Sequence, residues 1–428
     1  MQAQHTASYY AESTTVDEYP RLVDAIECDV CVIGGGFTGV NTSIELAQRG
    51  VSVALVEGGR IGWGATGRNG GQLIRGVGHD LTQFKSRIGQ EGIDRLEALG
   101  VDAVNIVRDR IKEHDIKCDL TWGYCDLANN ASHTQAFIAR QKHYVDSGYE
   151  HASYVVGGDD IHSVVGSNSY VSAFVDMGSG HLHPLKLIAA EARVARAAGV
   201  AIFEQSPAEF IEYHRDYVLI RTALGSIKAS RIVIACNAHI NGLEPTLSAR
   251  VLPAGSYIIA TEPLSPSIQR ELLPQNFAAS DNQVGLNYFR LSRDGRLLFG
   301  GACHYSGRDP KDIGAYMLPK MLNVFPQLAG VKLSHQWGGM IGIGANRFPQ
   351  VGRLTHRPQV YYGQAYSGHG LNATHLAAKL IAEAITRESA DFELFNGIPH
   401  MAFPGGRYLR SPLLALGMMW LRIKELTQ

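Results

Sequence analysis

The run of apolar and polar positions first forms a defined unit at Cys28. Cys28-Asp-Val-Cys-Val-Ile33 reads as a buried strand rich in β-branched residues, and it turns on Gly34, Gly35 and Gly36. A short helical pattern follows, and Val51-Ser-Val-Ala-Leu-Val56 returns as a second apolar strand closed by Glu57. The order predicts a β-α-β unit carrying Gly-x-Gly-x-x-Gly at Gly34, Gly36 and Gly39. In such a unit the first glycine permits the tight turn and the second lets a pyrophosphate approach the backbone. The third lets helix and strand pack closely. The helix start, at Phe37 and Thr38, would aim unpaired N–H groups at the phosphates, and Glu57 would accept bonds from an adenosine ribose.

Helical periodicity resumes from Leu81 to Lys117, with Leu96, Leu99, Val104, Val107 and Ile111 on one face. Cys118 to Ala128 reads as strand, and Ser132 to Gly148 as a helix opened by a serine or threonine cap. Pro184 starts a helix that Gly199 ends, and a strand follows at Val200 to Glu204. Phe210 to Tyr213, Tyr217 to Thr222 and Ser226 to Lys228 alternate as an antiparallel meander, which feeds a buried strand, Arg231 to Ala238. Residues 250–335 read as mixed sheet and loops. A late strand, Gln359 to Tyr366, runs through Ser367-Gly368-His369-Gly370 into a helix from Leu371 to Glu383. This second strand–glycine–helix junction again suits an anion at a helix start.

These elements predict an α/β fold with a Rossmann-like dinucleotide-binding domain and a discontinuous antiparallel-sheet substrate domain. The expected division gives 28–80, 184–240 and 336–400 to the first domain, and 81–183 and 241–335 to the second. Residues 1–27 read as an extended tail and 401–428 as a C-terminal helix.

Composition narrows the class. A formal net charge of −1 gives no footprint for nucleic acid or a polybasic membrane contact. The six cysteines lack a disulfide spacing, which points to a reducing, cytoplasmic setting. The amino terminus lacks the pattern of a signal peptide, and the apolar run Leu413 to Leu421 is too short to span a bilayer. His181-Leu-His183 lacks a third ligand, so no metal is expected. Neither Gly-x-Ser-x-Gly nor a P-loop is present.

Directly after Glu57 comes a glycine-dense segment from Gly58 to Gln72 that includes Arg60, Trp63, Ala65, Thr66, Arg68, Asn69, Gly70 and Gly71. It cannot pack from its own side chains and reads as a loop laid along a ligand. Four segments carry a family resemblance: Gly34 to Gly39, Ala65-Thr-Gly-Arg-Asn-Gly-Gly-Gln72, Ala235-Cys-Asn-Ala238 and Tyr366-Ser-Gly-His-Gly-Leu-Asn372. They resemble the D-amino-acid-oxidase-type FAD oxidoreductases, which include glycine and sarcosine oxidases.

The resemblance implies noncovalent FAD, since no cysteine lies between Gly338 and Val351, where sarcosine oxidases attach flavin. It would place Gly34, Gly36 and Gly39 at the pyrophosphate and Glu57 at the ribose, with Phe37, Thr38, Gly58 and Arg60 as further cofactor contacts. Arg68 to Gln72 would run under the flavin, Ala208 would touch the adenine through its backbone, Gly368 to Leu371 would face the pyrimidine edge, and Ala65, Thr66, Cys236, Asn237 and Asn372 would be further cofactor contacts. His369 is a candidate either for a catalytic base or, in preference, for shaping the turn or bonding the flavin, and Tyr257, Tyr288, His304 and Trp337 are candidates for the substrate wall.

Two departures shape the implied activity. Asn372 stands where sarcosine oxidases place a lysine that grips a substrate carboxylate, and Leu298 lies near the position of their oxygen-activating lysine. The implied reaction is oxidation of a small amine whose acid group is remote from the reacting carbon, with oxygen or another electron acceptor. The alternative is a sarcosine-, glycine- or D-amino-acid-type oxidase with the same cofactor.

Overall fold

The computed structural model describes residues 4–283, 285–304 and 310–405, with backbone only for 302–304. Most of the C-terminal helix expected over 401–428, and the His304 side chain, lie outside the described residues.

Two sheets organise the chain. The first has the order Gln350–Leu354, Arg357–Gln364, Ser226–Ile234, Ala25–Ile33, Val53–Val56 and Ala201–Phe203. All its neighbours are parallel except the outermost pair, Gln350–Leu354 with Arg357–Gln364. Alternation along the central strand decides which face each residue serves. Val30 and Val32 enter an apolar layer with the helices Phe37–Ala47, Pro184–Ala197 and Leu371–Thr386. Cys31 and Ile33 face the opposite layer, which is closed by Val218, Ile220 and Leu247. The meander and the buried strand read separately at 226–228 and 231–238 are one strand, Ser226–Ile234. Its first half pairs with the hairpin Phe210–Tyr213 and Val218–Arg221, and its second half enters the parallel core.

The second sheet runs Leu333–Ile343, Leu252–Thr261, Leu297–His304, Asn287–Leu291, Ala278–Asp281, Thr121–Ala128, Ser172–His181 and Gln72–Leu73, with Ser153–Gly157 on the Ser172–His181 strand. It is antiparallel apart from Ala278–Asp281 with Thr121–Ala128, which run parallel. One face buries Cys125, Val175, Tyr257, Ile259, Phe289 and Phe299 against the helix Ile313–Val324. The residues between them turn the other way, toward the first sheet.

Several expected boundaries move. Leu333–Ile343 pairs along its length with Leu252–Thr261, so residues 336–343 belong with the second sheet rather than the first. Gln72–Leu73 likewise pairs with Ser172–His181. The helix Lys85–Glu113, expected on the substrate side, buries Leu96, Leu99 and Val107 with the helices of the first sheet. Asn130, rather than a serine or threonine, caps the helix Ala131–Asp146, its side chain accepting from the Ser132 N–H.

The expected tail is not loose. Tyr9–Glu12 forms a helical turn, and Tyr9, Tyr10, Tyr19 and Leu22 are buried. The apolar content of those tyrosines, masked in sequence by polar neighbours, supplies the reason. No helix among the described residues is long and apolar enough to cross a membrane.

Candidate active site

Between the sheets lies a continuous cavity of about 2250 Å³, and two helix starts open into it. At the first, Gly34 leaves its strand with φ +114°, which only glycine adopts readily. A Cβ on Gly39 would overlap the Gly34 carbonyl, so the third glycine faces the strand and not the cavity. The helix Phe37–Ala47 begins at Gly36 without a side-chain cap. The Phe37 N–H donates to Thr66 Oγ1 at 3.1 Å, and other first-turn donors point into the open space. Glu57 accepts from the Gly35 and Gly59 N–H groups, each at 2.6 Å. Burial raises its pKa and those amide donors oppose the rise.

The second helix start is Leu371–Thr386, whose cap, Gly370, also lacks a side-chain bond. Its approach is strained at Ala365 and Ser367, both at positive φ, while Gly368 takes such a φ without cost. Side-chain bonds tie it down. Tyr366 and Thr38 share a hydroxyl hydrogen bond of 2.7 Å, which links the two glycine junctions directly. His369 Nε2 faces the Gly76 carbonyl at 3.1 Å, and Asn372 Nδ2 donates to the same oxygen at 2.8 Å. A carbonyl only accepts, so Nε2 carries the ring proton. Burial lowers the pKa of His369, so the ring is a neutral donor that fastens the 74–76 segment to the turn. The Asn372 amide is occupied in the same way.

The segment between the junctions bends through Ala65–Arg68. Asn69 Nδ2 donates to the Ala65 and Thr66 carbonyls, and its Oδ1 accepts from the Gly71 N–H at 2.8 Å. Gln72 Nε2 crosses to the Ala279 carbonyl at 2.9 Å. The Arg68 guanidinium reaches the Trp63 and Gly338 carbonyls and stacks 4.9 Å from the Trp63 ring. Gly58, Ala208 and Cys236 stand on the cavity wall; burial pushes the Cys236 thiol up to about 12, so it is neutral. Asn237, at φ +45°, accepts from the Ala365 N–H at 2.9 Å and so joins the two strand ends.

Of the expected cofactor contacts, the cavity brings together Gly34, Gly36, Phe37, Thr38, Glu57, Gly58, Ala65, Thr66, Arg68, Asn69, Gly70, Gln72, Ala208, Cys236, Asn237 and 368–372. It leaves out Gly39, Gly71 and Arg60. Arg60 is buried and paired with Glu204 at 2.8 Å and Glu18 at 2.8 Å, on the far side of its loop from the cavity. Among the expected substrate residues, Tyr288 lines the cavity, packing under Gly70. Tyr257 does not: strand alternation sends it into the helix-covered face, and its neighbour Ser256 reaches the cavity instead. Trp337 is 1 % exposed and donates its Nε1–H to the Arg68 carbonyl at 3.0 Å, so it supports the loop from behind.

The cavity wall formed by the second sheet contains residues that sequence reading did not find. Tyr124, Asp126, Phe174 and Asp176 share the cavity face of the second sheet, placed there by the register Tyr124↔Asp176 and Asp126↔Phe174. Arg140 pairs with Asp126. The Arg75 Nε lies 3.4 Å from Asp176, and its guanidinium stacks 3.3 Å from the Tyr144 ring and 4.5 Å from Tyr149. Asp176 also accepts from the Tyr149 hydroxyl at 2.8 Å. Only strand alternation could have pointed to these residues, and it required the register.

Two uncapped helix starts and a carboxylate-ended second strand along one cavity, roofed by an antiparallel sheet, define a dinucleotide-dependent oxidoreductase. The cavity fits FAD: it spans both glycine junctions, and a Cβ on Gly36 would intrude, 2.9 Å from Thr66 Oγ1. Residues 29–384 match the family described as FAD dependent oxidoreductase (DAO), and the chain belongs to that family. It is 37 % identical over 424 residues to gamma-glutamylputrescine oxidoreductase of Escherichia coli (strain K12), covering 99 % of each chain. It is 35 % identical over 414 residues to probable oxidoreductase OrdL of Rhizobium meliloti (strain 1021), covering 95 % of this chain and 94 % of that one. The crystal structure of glycine oxidase from Geobacillus kaustophilus shares the fold, with a TM-score of 0.73 at 20 % identity over 88 % of this chain and all of that one.

Proposed function

We propose that this FAD-dependent oxidoreductase oxidises an amine of the gamma-glutamylputrescine type, one whose carboxylate is remote from the reacting carbon. The charge balance of the substrate wall carries the reading. Asp126, Asp176 and Asp281 line it against Arg75 and Arg140, and each arginine already faces an aspartate. An ammonium group entering this lobe finds compensating charge. A carboxylate beside the reacting carbon would meet at position 372 a neutral amide, Asn372, one of whose N–H groups already donates to Gly76.

Bound noncovalently, FAD would accept the hydride of the substrate α C–H, and the imine so formed would hydrolyse to aldehyde and ammonia. The chain's own residues bind, orient and exclude water. Gly34, Gly36 and the first helix start would hold the pyrophosphate, and Glu57 the ribose. The 65–72 loop and the 368–372 turn would grip the flavin, with the turn's N–H groups at the edge that gains charge on reduction. His369 donates from Nε2 to Gly76, so its part is to hold the turn rather than to move a substrate proton. Leu298 is buried and apolar, so no ammonium stands there to assist oxygen, and we expect slow reoxidation in air.

One observation favours the sarcosine- or amino-acid-type alternative. Arg75 lines the cavity and meets Asp176 through Nε, and its guanidinium could also take a substrate carboxylate. Anaerobic titration with gamma-glutamylputrescine, putrescine, sarcosine, glycine and D-alanine separates the readings. Bleaching of the flavin by the first compound and not the last three supports amine oxidation; the reverse order overturns it.

A further inference from the structure

The N-terminal segment precedes the part of the chain that matches the family, which begins at residue 29, yet it is built into the back of the cofactor loop. Two carbonyls of that loop are held from behind. The Gly70 carbonyl accepts from Arg290 Nε at 2.7 Å, and the Arg68 carbonyl from Trp337 Nε1 at 3.0 Å. Both donors rest on one side chain. Arg290 Nη2 donates to the Tyr10 hydroxyl at 3.0 Å, and the Tyr10 ring meets the Trp337 ring edge-on with centroids 5.3 Å apart. Tyr10 is wholly buried, and Trp337 and Arg290 are 1 % and 4 % exposed.

The guanidinium is also unusual in its partners. Its nitrogens donate to the Gly70, Leu182 and Leu291 carbonyls and the Tyr10 hydroxyl, all neutral, and no carboxylate pairs with it among the described residues. Its charge is therefore held by neutral acceptors one hydrogen bond behind the loop. His181 and His183 feel it: burial lowers both pKa values to about 3, and Arg290 adds to the fall.

We infer that Tyr10, Arg290 and Trp337 form a buttress that sets the position of the 68–71 loop against the flavin, making the N-terminal segment part of the cofactor site. All three are positioning residues. The Arg290 charge has a second effect, because a buried cation behind the loop favours the reduced, more negative flavin. The inference rests on the reading that this loop runs along the flavin.

The test uses the holoenzyme and its Tyr10→Phe, Arg290→Met and Arg68→Ala variants, with three readouts: FAD dissociation constant, midpoint potential of the bound flavin and melting temperature of the apoprotein. Losing one hydrogen bond to a charged donor should weaken FAD by about tenfold in Tyr10→Phe. Arg290→Met should weaken it at least as much and move the potential to a more negative value. Wild-type FAD affinity and potential in both variants, with only the apoprotein melting temperature lowered, would overturn the inference. Arg68→Ala checks the underlying reading separately. If it leaves affinity, potential and flavin spectrum untouched, the loop does not lie along the flavin and the inference falls with it. If it alters them while Tyr10→Phe and Arg290→Met do not, the buttress alone is refuted.

Discussion

Arg60 and Gly39 show how one residue's neighbours decide its role. Both stand in the glycine-rich stretches from which cofactor contacts were expected, and neither faces the cavity. Arg60 is paired with Glu204, and both side chains are almost wholly buried. Removing one partner of such a pair leaves the other charge stranded, so Arg60→Ala should lose about 3 kcal/mol in denaturant unfolding. The purified variant should still carry FAD at wild-type stoichiometry; loss of FAD without loss of stability would return Arg60 to the cofactor site. At Gly39 a Cβ would overlap the Gly34 carbonyl, and backbone cannot swing aside as a side chain can. Gly39→Ala should therefore cost about 2 kcal/mol or more and lower FAD retention on gel filtration. The glycine spacing was legible in the chain because only glycine meets these backbone demands. Arg60 was misread because its partner lies 144 positions on, at Glu204.

At the scale of elements, the two helices that open into the cavity are locked together behind it. His375 Nε2 lies 2.7 Å from Glu191 Oε1, both wholly buried, and Asn41 Nδ2 donates to the other Glu191 oxygen at 3.0 Å. His375 Nδ1 gives its proton to the Leu371 carbonyl at 2.7 Å, so Nε2 and Glu191 share one further proton. The three side chains come from the helices Leu371–Thr386, Pro184–Ala197 and Phe37–Ala47. Phe37, in the first turn of the last of these, packs 5.1 Å from the His375 ring. His375→Ala should therefore lower unfolding free energy by about 3 kcal/mol and also weaken FAD binding, since both helix starts lose their common anchor. Unchanged FAD affinity in a destabilised variant would show that the anchor serves only the core. Periodicity revealed these helices from Pro184 and from the strand–glycine junctions. It could not reveal the anchor, because His375 and Glu191 look like ordinary polar positions until three helices meet. The tyrosine-bearing N-terminal segment was missed for a related reason: its burial depends on Trp337 and Arg290, both remote in sequence.

For the whole molecule, buried neutral histidines set the response to acid. His181 and His183, each 2 % exposed, have pKa values lowered to about 3, first by burial and then by Arg290. Unfolded, each would titrate near 6.5, so as pH falls below that value the unfolded chain takes up protons that the folded chain refuses. These groups contribute stability fully above pH about 6.5 and lose it progressively toward about 3, so the melting temperature should fall between pH 7 and pH 5. His181→Gln should flatten that slope; an unchanged slope would remove His181 as a contributor. The architecture itself was largely readable. Two strand–glycine–helix junctions, the carboxylate after the second strand and the glycine-dense loop all border the cavity. The cavity face of the second sheet was not readable, because Tyr124, Asp126, Asp176 and Ser256 reach the cavity through sheet register, and a shift of one residue would turn each away.

Amine oxidation is tested most directly by adding gamma-glutamylputrescine to the yellow holoenzyme without oxygen and following the visible flavin band. Complete bleaching, with the corresponding aldehyde and ammonia released in equal amounts, is the expected result. An unbleached flavin with this compound and its close amine relatives, together with rapid bleaching by sarcosine, glycine or D-alanine, would contradict it.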